Sequence, residues 1–298
     1  MLLWTMTAAD PLLLATARVS TFLGPLLQTN ASGFFFERDD KLYLVTSRHV
    51  VIDAPNKHLP DRIEIELHLD GVDLTRSTGF SIPLYQDGKS VWRQGRDSGG
   101  EVDIAVLELD RSKLPPDVLL RAFTPAQLAS PGDAIGVGAS LLVSGFPLGF
   151  HDGLHHLPVV RQAIVASSYG IRFQGQGYFL TDARMHRGAS GAPVVMRDWA
   201  STPRNATLPW LLLGVHSARL DMGDRDQVLD ESLGLNCAWY ADILMTLTGP
   251  MPAAADLAPV ADAAAPAGAA QVAAAGAALA SAPAAPATGG PLPAGKKA

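Results

Sequence analysis

Residues 179–195 read FLTDARMHRGASGAPVV. An apolar run of strand length enters, a turn of small residues runs from Gly188 to Ala192, and a second apolar run, Ala192–Met196, leaves. Ser190 lies inside the turn. With no bulky side chain between Gly188 and Ala192, a carbonyl group can approach the backbone there. Glycine at 188 lets the chain aim the amides of Gly188 and Ser190 at one point, where they would meet an oxyanion. A serine hydroxyl is a poor nucleophile at neutral pH. It needs an imidazole to take its proton, and that imidazole needs a carboxylate to fix its tautomer and stabilise the imidazolium.

Two segments upstream carry those groups. Residues 44–54, LVTSRHVVIDA, place His49 where an apolar strand gives way, and residues 101–110, EVDIAVLELD, place Asp103 at the entrance of another. Asp97, in a Gly/Ser loop, and Asp110, at the strand's end, are the competing carboxylates. Position alone leaves all three open; the motif DIAVL, with the resemblance it carries, favours Asp103. A nucleophile elbow of the form Gly-x-Ser-x-Gly would need glycine where Ala192 stands, and its acid and histidine would have to follow the serine. Only His216 follows, with Asp198 alone between as an acid, so that arrangement fails.

Outward from these segments the body is a series of short strands. Ser32–Glu37 and Lys41–Thr46 flank Arg38-Asp39-Asp40, a hairpin signature. Arg62–Asp70 alternates Ile63, Ile65, Leu67 and Leu69 with polar neighbours, the pattern of a half-buried strand. Val102–Leu109, Ala139–Gly145, Gln162–Ala166, Tyr178–Thr181 and Leu211–Val215 are further strand-length apolar runs; Ala238–Leu247 is the one stretch that suits a helix. Many strands without alternating helices predict an all-β fold. Thr124–Gly132, with two prolines and a glycine, reads as the crossing between two β halves.

The motifs TSRHV at His49, DIAVL at Asp103 and RGASGAPV at Ser190, in that order, resemble the signatures of the trypsin/chymotrypsin-like serine proteases. The resemblance covers about residues 15–247. TDARMHRGASGAP and SGFPLG (residues 144–149) are especially similar to the Deg-type bacterial proteases. The resemblance implies a chymotrypsin-like fold of two six-stranded antiparallel β-barrels with a short C-terminal helix, the first barrel over 12–125 and the second over 133–247. It implies a serine endopeptidase acting through an acyl-enzyme, with His49 as base, Asp103 orienting it, Ser190 attacking, and Gly188 and Ser190 lending the oxyanion-hole amides. The partner is then a polypeptide substrate, and no cofactor is called for. The alternative is a latent or inactive protease-fold protein that grips a peptide or partner. The peptide-binding domain usual after Deg-type proteases has no counterpart here, so chaperone-like assembly is not carried over.

In the resembling proteases the residue before the scissile bond enters a pocket made by three segments. They correspond here to Arg184–Arg187, Gly214–Arg219 and part of Asp221–Cys237. Arg184 stands where Lys/Arg-cutting relatives carry an acid, which disfavours a cationic side chain. His216 matches the histidine of glutamyl endopeptidases, so Arg184, His216 and Arg219 together predict an acidic preference. Ser217–Arg219 is expected to pair with substrate backbone as an added strand. Ala189 replaces the aspartate that receives a new N-terminal amine in digestive relatives, so that activation switch is not expected.

Composition bounds the rest. The chain has 298 residues, 23 basic and 29 acidic, and a net charge of −6. With no concentrated Lys/Arg run, nucleic-acid binding is not expected. Cys237 is the sole cysteine, which excludes an internal disulfide and a cysteine-based zinc cluster. The opening MLLWTMTAADPLLLATARVS lacks a basic start and is broken by Asp10 and Pro11, so it reads poorly as a secretory signal, and a cytoplasmic location is the expectation. No uninterrupted apolar run predicts a membrane span. His151, His155 and His156 lie among Gly149, Gly153 and Pro158, which makes a loop rather than a metal-binding helix face. Residues 251–298 are rich in Ala and Pro with only Asp256, Asp262, Lys296 and Lys297 charged, and read as a disordered extension with a short helix over 269–280.

Overall fold

Asp39 and Asp40 both take left-handed backbone conformations, with φ of 51° and 62°, and reverse the chain between two strands. Short polar side chains tolerate that region, and two successive positive φ values match the twist of the strands they join. The computed structural model describes residues 9–130, 132–219 and 234–250, all inside one unit that spans residues 1–265. The expected extension at 251–298 and its short helix lie outside the described residues.

The chain begins with a single helical turn, α1 (Pro11–Ala15), whose first amides are met by the Asp10 carboxylate accepting from Leu12 N–H at 2.9 Å. Strands β1 (Thr16–Leu23), β2 (Leu26–Arg38) and β3 (Lys41–Thr46) follow, then the short helix α2 (Arg48–Val51). Next come β4 (Arg62–His68), β5 (Ser77–Pro83), the two-residue strands β6 (Tyr85–Gln86) and β7 (Lys89–Ser90), β8 (Trp92–Asp97) and β9 (Gly100–Leu109). They build a seven-stranded sheet in the order β5-β4-β1-β2-β3-β9-β8, with β6 and β7 as a separate hairpin. Its edges meet where the Val91 N–H donates to the Leu84 carbonyl at 3.0 Å and Trp92 packs edge-on against Tyr85 at 5.5 Å. The six-strand expectation for this half thus becomes seven paired strands, because the β6–β7 hairpin separates β5 from β8. In β4 the alternation holds for Ile63, Ile65 and Leu67, but the strand ends at His68, which is itself buried, so the expected continuation through Leu69 to Asp70 is not part of it.

The second half consists of β10 (Ser140–Gly145), β11 (Val159–Val165), β12 (Tyr178–Asp182), β13 (Pro193–Arg197), β14 (Trp210–Arg219) and β15 (Leu235–Tyr240). These six close into a barrel in the order β10-β11-β12-β15-β14-β13. The architecture is all-β: a seven-stranded sheet followed by a closed six-stranded barrel. The helix expected over Ala238–Leu247 starts later. Ala238 and Trp239 pair with Phe179 and Tyr178 across the barrel, and the Tyr178 ring meets Trp239 at 5.5 Å. Pairing overrides alanine's helix preference there. Helical turns occupy only 241–243 and α3 (Leu244–Leu247).

The connection between the halves is tied to both. Phe123, fully buried, bridges Phe36 of β2, and the Gln127 side chain donates to the carbonyls of Leu208 and Trp210 at 2.8 and 3.2 Å. One apolar core includes Phe34, Phe36, Tyr43 and Val106 from the first half and Val195, Leu212, Trp239, Leu244 and Leu247 from the second.

Candidate active site

Strand β3 ends its pairing with β9 at Thr46↔Ala105, and α2 turns the chain over the end of β9. That places His49 on Asp103. The His49 backbone N–H donates to Asp103 Oδ1 at 2.9 Å, and the imidazole Nδ1 lies 2.7 Å from Oδ2. An ionised carboxylate only accepts, so Nδ1 carries the proton and Nε2 keeps its lone pair. Burial opposes the charged forms of both groups. The hydrogen bonds and mutual attraction outweigh it, raising the His49 pKa and lowering that of Asp103. The other carboxylates are engaged elsewhere: Asp97 with Arg172 at 2.6 Å, and Asp110 with the Ser112 backbone N–H at 3.0 Å.

The small-residue turn at Ser190 is held by backbone bonds. Gly191 N–H donates to the His216 carbonyl at 2.7 Å, His216 N–H to the Ala192 carbonyl at 2.9 Å, and Ser32 N–H, from β2, to the Ser190 carbonyl at 2.9 Å. Gly188 and Gly191 have φ of 90° and 86°. A Cβ at 188 would stand 2.5 Å from the Phe146 carbonyl, so the glycine is needed for both conformation and space. The carbonyl of Arg187 accepts from Leu148 N–H at 2.5 Å. Among the described residues, the amides of Gly188 and Ser190 have no protein acceptor.

Ser217 joins the two groups. Its hydroxyl makes a very short hydrogen bond to Asp103 Oδ2, and its carbonyl accepts from Ser190 Oγ at 3.0 Å. Ser190 thus reaches the His49–Asp103 pair through Ser217, and its hydroxyl makes no hydrogen bond with the imidazole. The sequence pointed to Ser217 only as a substrate-strand residue. Its contact with Asp103 depends on how two distant strands dock, and no local signal carries that.

The expected pocket residues are not gathered at one point. Arg184 is exposed and lines a cavity of about 600 Å³ with Arg161, Phe150 and His186, while His216 is not among its walls. His216 is buried with Nδ1 unpartnered. Burial, with the nearby His49 charge, brings its pKa down to about 4, so the ring is neutral at pH 7. Arg219 pairs in the ladder with Asn236, and residues 221–233 of the third expected segment lie outside the described residues. Ala189 is fully buried in an apolar cluster with Ala183, Met185 and Ala192.

In the 150s loop, His155 bonds Asp152 at 2.7 Å, His151 lies 3.3 Å from Arg18, and His151 stacks on His156. Among the described residues no three His, Cys, Asp or Glu side chains group to hold a metal ion. Nor is any described helix long and apolar enough to cross a membrane.

The site thus joins a His–Asp pair to a serine in a glycine-rich turn through Ser217. Residues 31–201 match the model of the trypsin-like peptidase domain, and the chain belongs to that family. Among solved structures it is similar to a serine endoprotease from Yersinia pestis, at 18% identity and a TM-score of 0.48, covering 81% of this chain and 64% of that one. The chain thus spans under two thirds of that protein's length. No curated protein matches it.

Proposed function

We propose that the chain is a serine endopeptidase. The observation that carries the reading is the two-point grip of Asp103 on His49, which leaves Nε2 unprotonated and ready to act as a base. Ser190 passes its proton to His49 Nε2 while Oγ bonds to the scissile carbonyl carbon. The carbonyl oxygen becomes an oxyanion facing the amides of Gly188 and Ser190. The imidazolium then gives its proton to the leaving amine as the C–N bond breaks, and water, deprotonated by His49, releases the acyl group. For this the Ser190 hydroxyl turns from the Ser217 carbonyl to the imidazole, a tightening that substrate brings in such sites.

Labelling by a fluorophosphonate probe, compared with Ser190→Ala, tests base, nucleophile and amides together. Labelling that vanishes in the variant is the expected result. Folded wild type that neither labels nor cleaves peptides overturns it. That outcome favours a second reading, a protease-fold protein that binds without turnover, which the resting Ser190–Ser217 bond supports.

For specificity we propose an acidic residue before the scissile bond, received by His216 acting as a neutral hydrogen-bond donor. The unpartnered ring nitrogen of His216 supports this reading. A peptide series varying only that residue is the test; faster cleavage after small apolar residues than after Glu overturns it.

A further inference from the structure

The peptide group that decides whether an oxyanion is bound is the one between Arg187 and Gly188. It is planar and trans, so the Gly188 N–H points opposite the Arg187 carbonyl. Whatever fixes the carbonyls on either side of Gly188 therefore fixes the donor. One side chain, from the other half of the molecule, bonds the Gly188 carbonyl directly and the turn that meets the Arg187 carbonyl.

Ser32 is fully buried in β2. Its hydroxyl donates to the Gly188 carbonyl at 2.8 Å and accepts the Phe146 N–H at 2.9 Å. Phe146 opens the turn over 147–149, in which Leu148, at φ of 55°, donates to the Arg187 carbonyl. The Gly188 carbonyl is thus held directly, and the Arg187 carbonyl through the turn that the same hydroxyl anchors. The Ser32 carbonyl is itself fixed by the Thr46 hydroxyl at 2.8 Å, three residues before His49. Space is as tight as the bonding: a Cβ on Gly145 would lie 2.7 Å from Ser32 Oγ. A hydroxyl can donate once and accept here, and an apolar side chain can do neither.

We propose that Ser32 is a positioning residue for the oxyanion-binding turn, its hydroxyl holding the Arg187–Gly188 peptide with the amide facing the substrate carbonyl. This rests on the endopeptidase reading above. Ser32 touches neither His49 nor Asp103 and moves no proton in the reaction. Its loss therefore acts on the transition state, where the oxyanion exists, more than on the bound ground state.

The test compares wild type, Ser32→Ala and Ser144→Ala. Ser144 is a buried serine on β10 whose hydroxyl accepts from Thr16, so its variant controls for the loss of a buried hydrogen bond. Removing an oxyanion donor outright costs about 100- to 1000-fold in kcat, so loosening one is expected to cost about 10- to 100-fold in Ser32→Ala, with KM changed less than about threefold. Fluorophosphonate labelling slows in parallel, and the acid midpoint of the pH profile stays in place. Ser144→Ala keeps kcat within about twofold, as a substitution away from the chemistry should. Wild-type kcat in Ser32→Ala, or a loss carried by KM, overturns the proposal. A crystal structure of Ser32→Ala gives a reading that does not need turnover: an Arg187–Gly188 peptide unmoved from its wild-type orientation overturns the role of Ser32. Inactive wild type overturns the endopeptidase reading instead, so the two failures are distinguishable.

Discussion

Asp103 takes donors from the His49 ring, the His49 backbone and the Ser217 hydroxyl, and each makes its ionised form more favourable. Because the His49 pKa is raised, activity falls as pH drops through a midpoint above the ordinary imidazole value of 6.5. In Asp103→Asn the Asp103 bond and charge that raise the pKa are gone while burial remains, so the midpoint moves down. Misplacing the ring proton also cuts kcat on the order of 10⁴-fold, which a pH series of peptide hydrolysis measures. His216 gives the opposite stability linkage. Its folded pKa of about 4 lies below the unfolded value of 6.5, so its contribution is fully present above 6.5 and is lost as pH falls towards 4. Between pH 7 and 4 the wild type should lose on the order of 3 kcal/mol more than His216→Leu, read from urea unfolding. The segments holding His49, Asp103 and Ser190 were legible in the sequence from their motifs, and the structure pairs His49 with Asp103 while the Ser190 hydroxyl rests on the Ser217 carbonyl. Ser32 and Ser217 were not legible, because their hydroxyls act across strands from separate parts of the chain, and serine in a strand has no local signature.

At the scale of elements, the hairpin between β2 and β3 was read from Arg38-Asp39-Asp40 because turn chemistry is local. Asp40 holds φ at 62°, a region in which glycine carries no side-chain penalty. Asp40→Gly is therefore expected to stabilise the fold by about 0.5–1 kcal/mol, with the urea midpoint raised and the slope unchanged. Strand β1 was hidden inside an opening that reads as a weak leader, although Ala17 and Val19 are buried between β2 and β4. The helix over Ala238–Leu247 was misplaced by one strand end, since Trp239 and Tyr240 are recruited by aromatic neighbours that only the closed barrel supplies. Elements with a repeating local pattern could be read; those set by pairing partners could not.

For the whole molecule, the two β halves share an apolar core and are also laced by the segment that follows β15. Arg38 donates to the Met245 carbonyl at 2.6 Å, Tyr43 to the Thr248 carbonyl at 3.2 Å, and Arg93 to the Gly249 carbonyl at 2.8 Å. Leu244 is fully buried where β2, β3 and β14 converge on that core. Leu244→Ala should cost about 2–5 kcal/mol. Calorimetry should still show one transition for both halves; two separated transitions would mean that the shared core does not couple them. That coupling has a further consequence during synthesis. Phe34, Phe36 and Tyr43 leave the ribosome roughly 200 residues before Leu244, a delay of about 10–40 s at ~5–20 residues per second. For that interval the nascent first sheet has a greasy face and no partner for it, so a holdase that binds apolar nascent chain would meet this protein early and release it only when its last strand and helix have emerged.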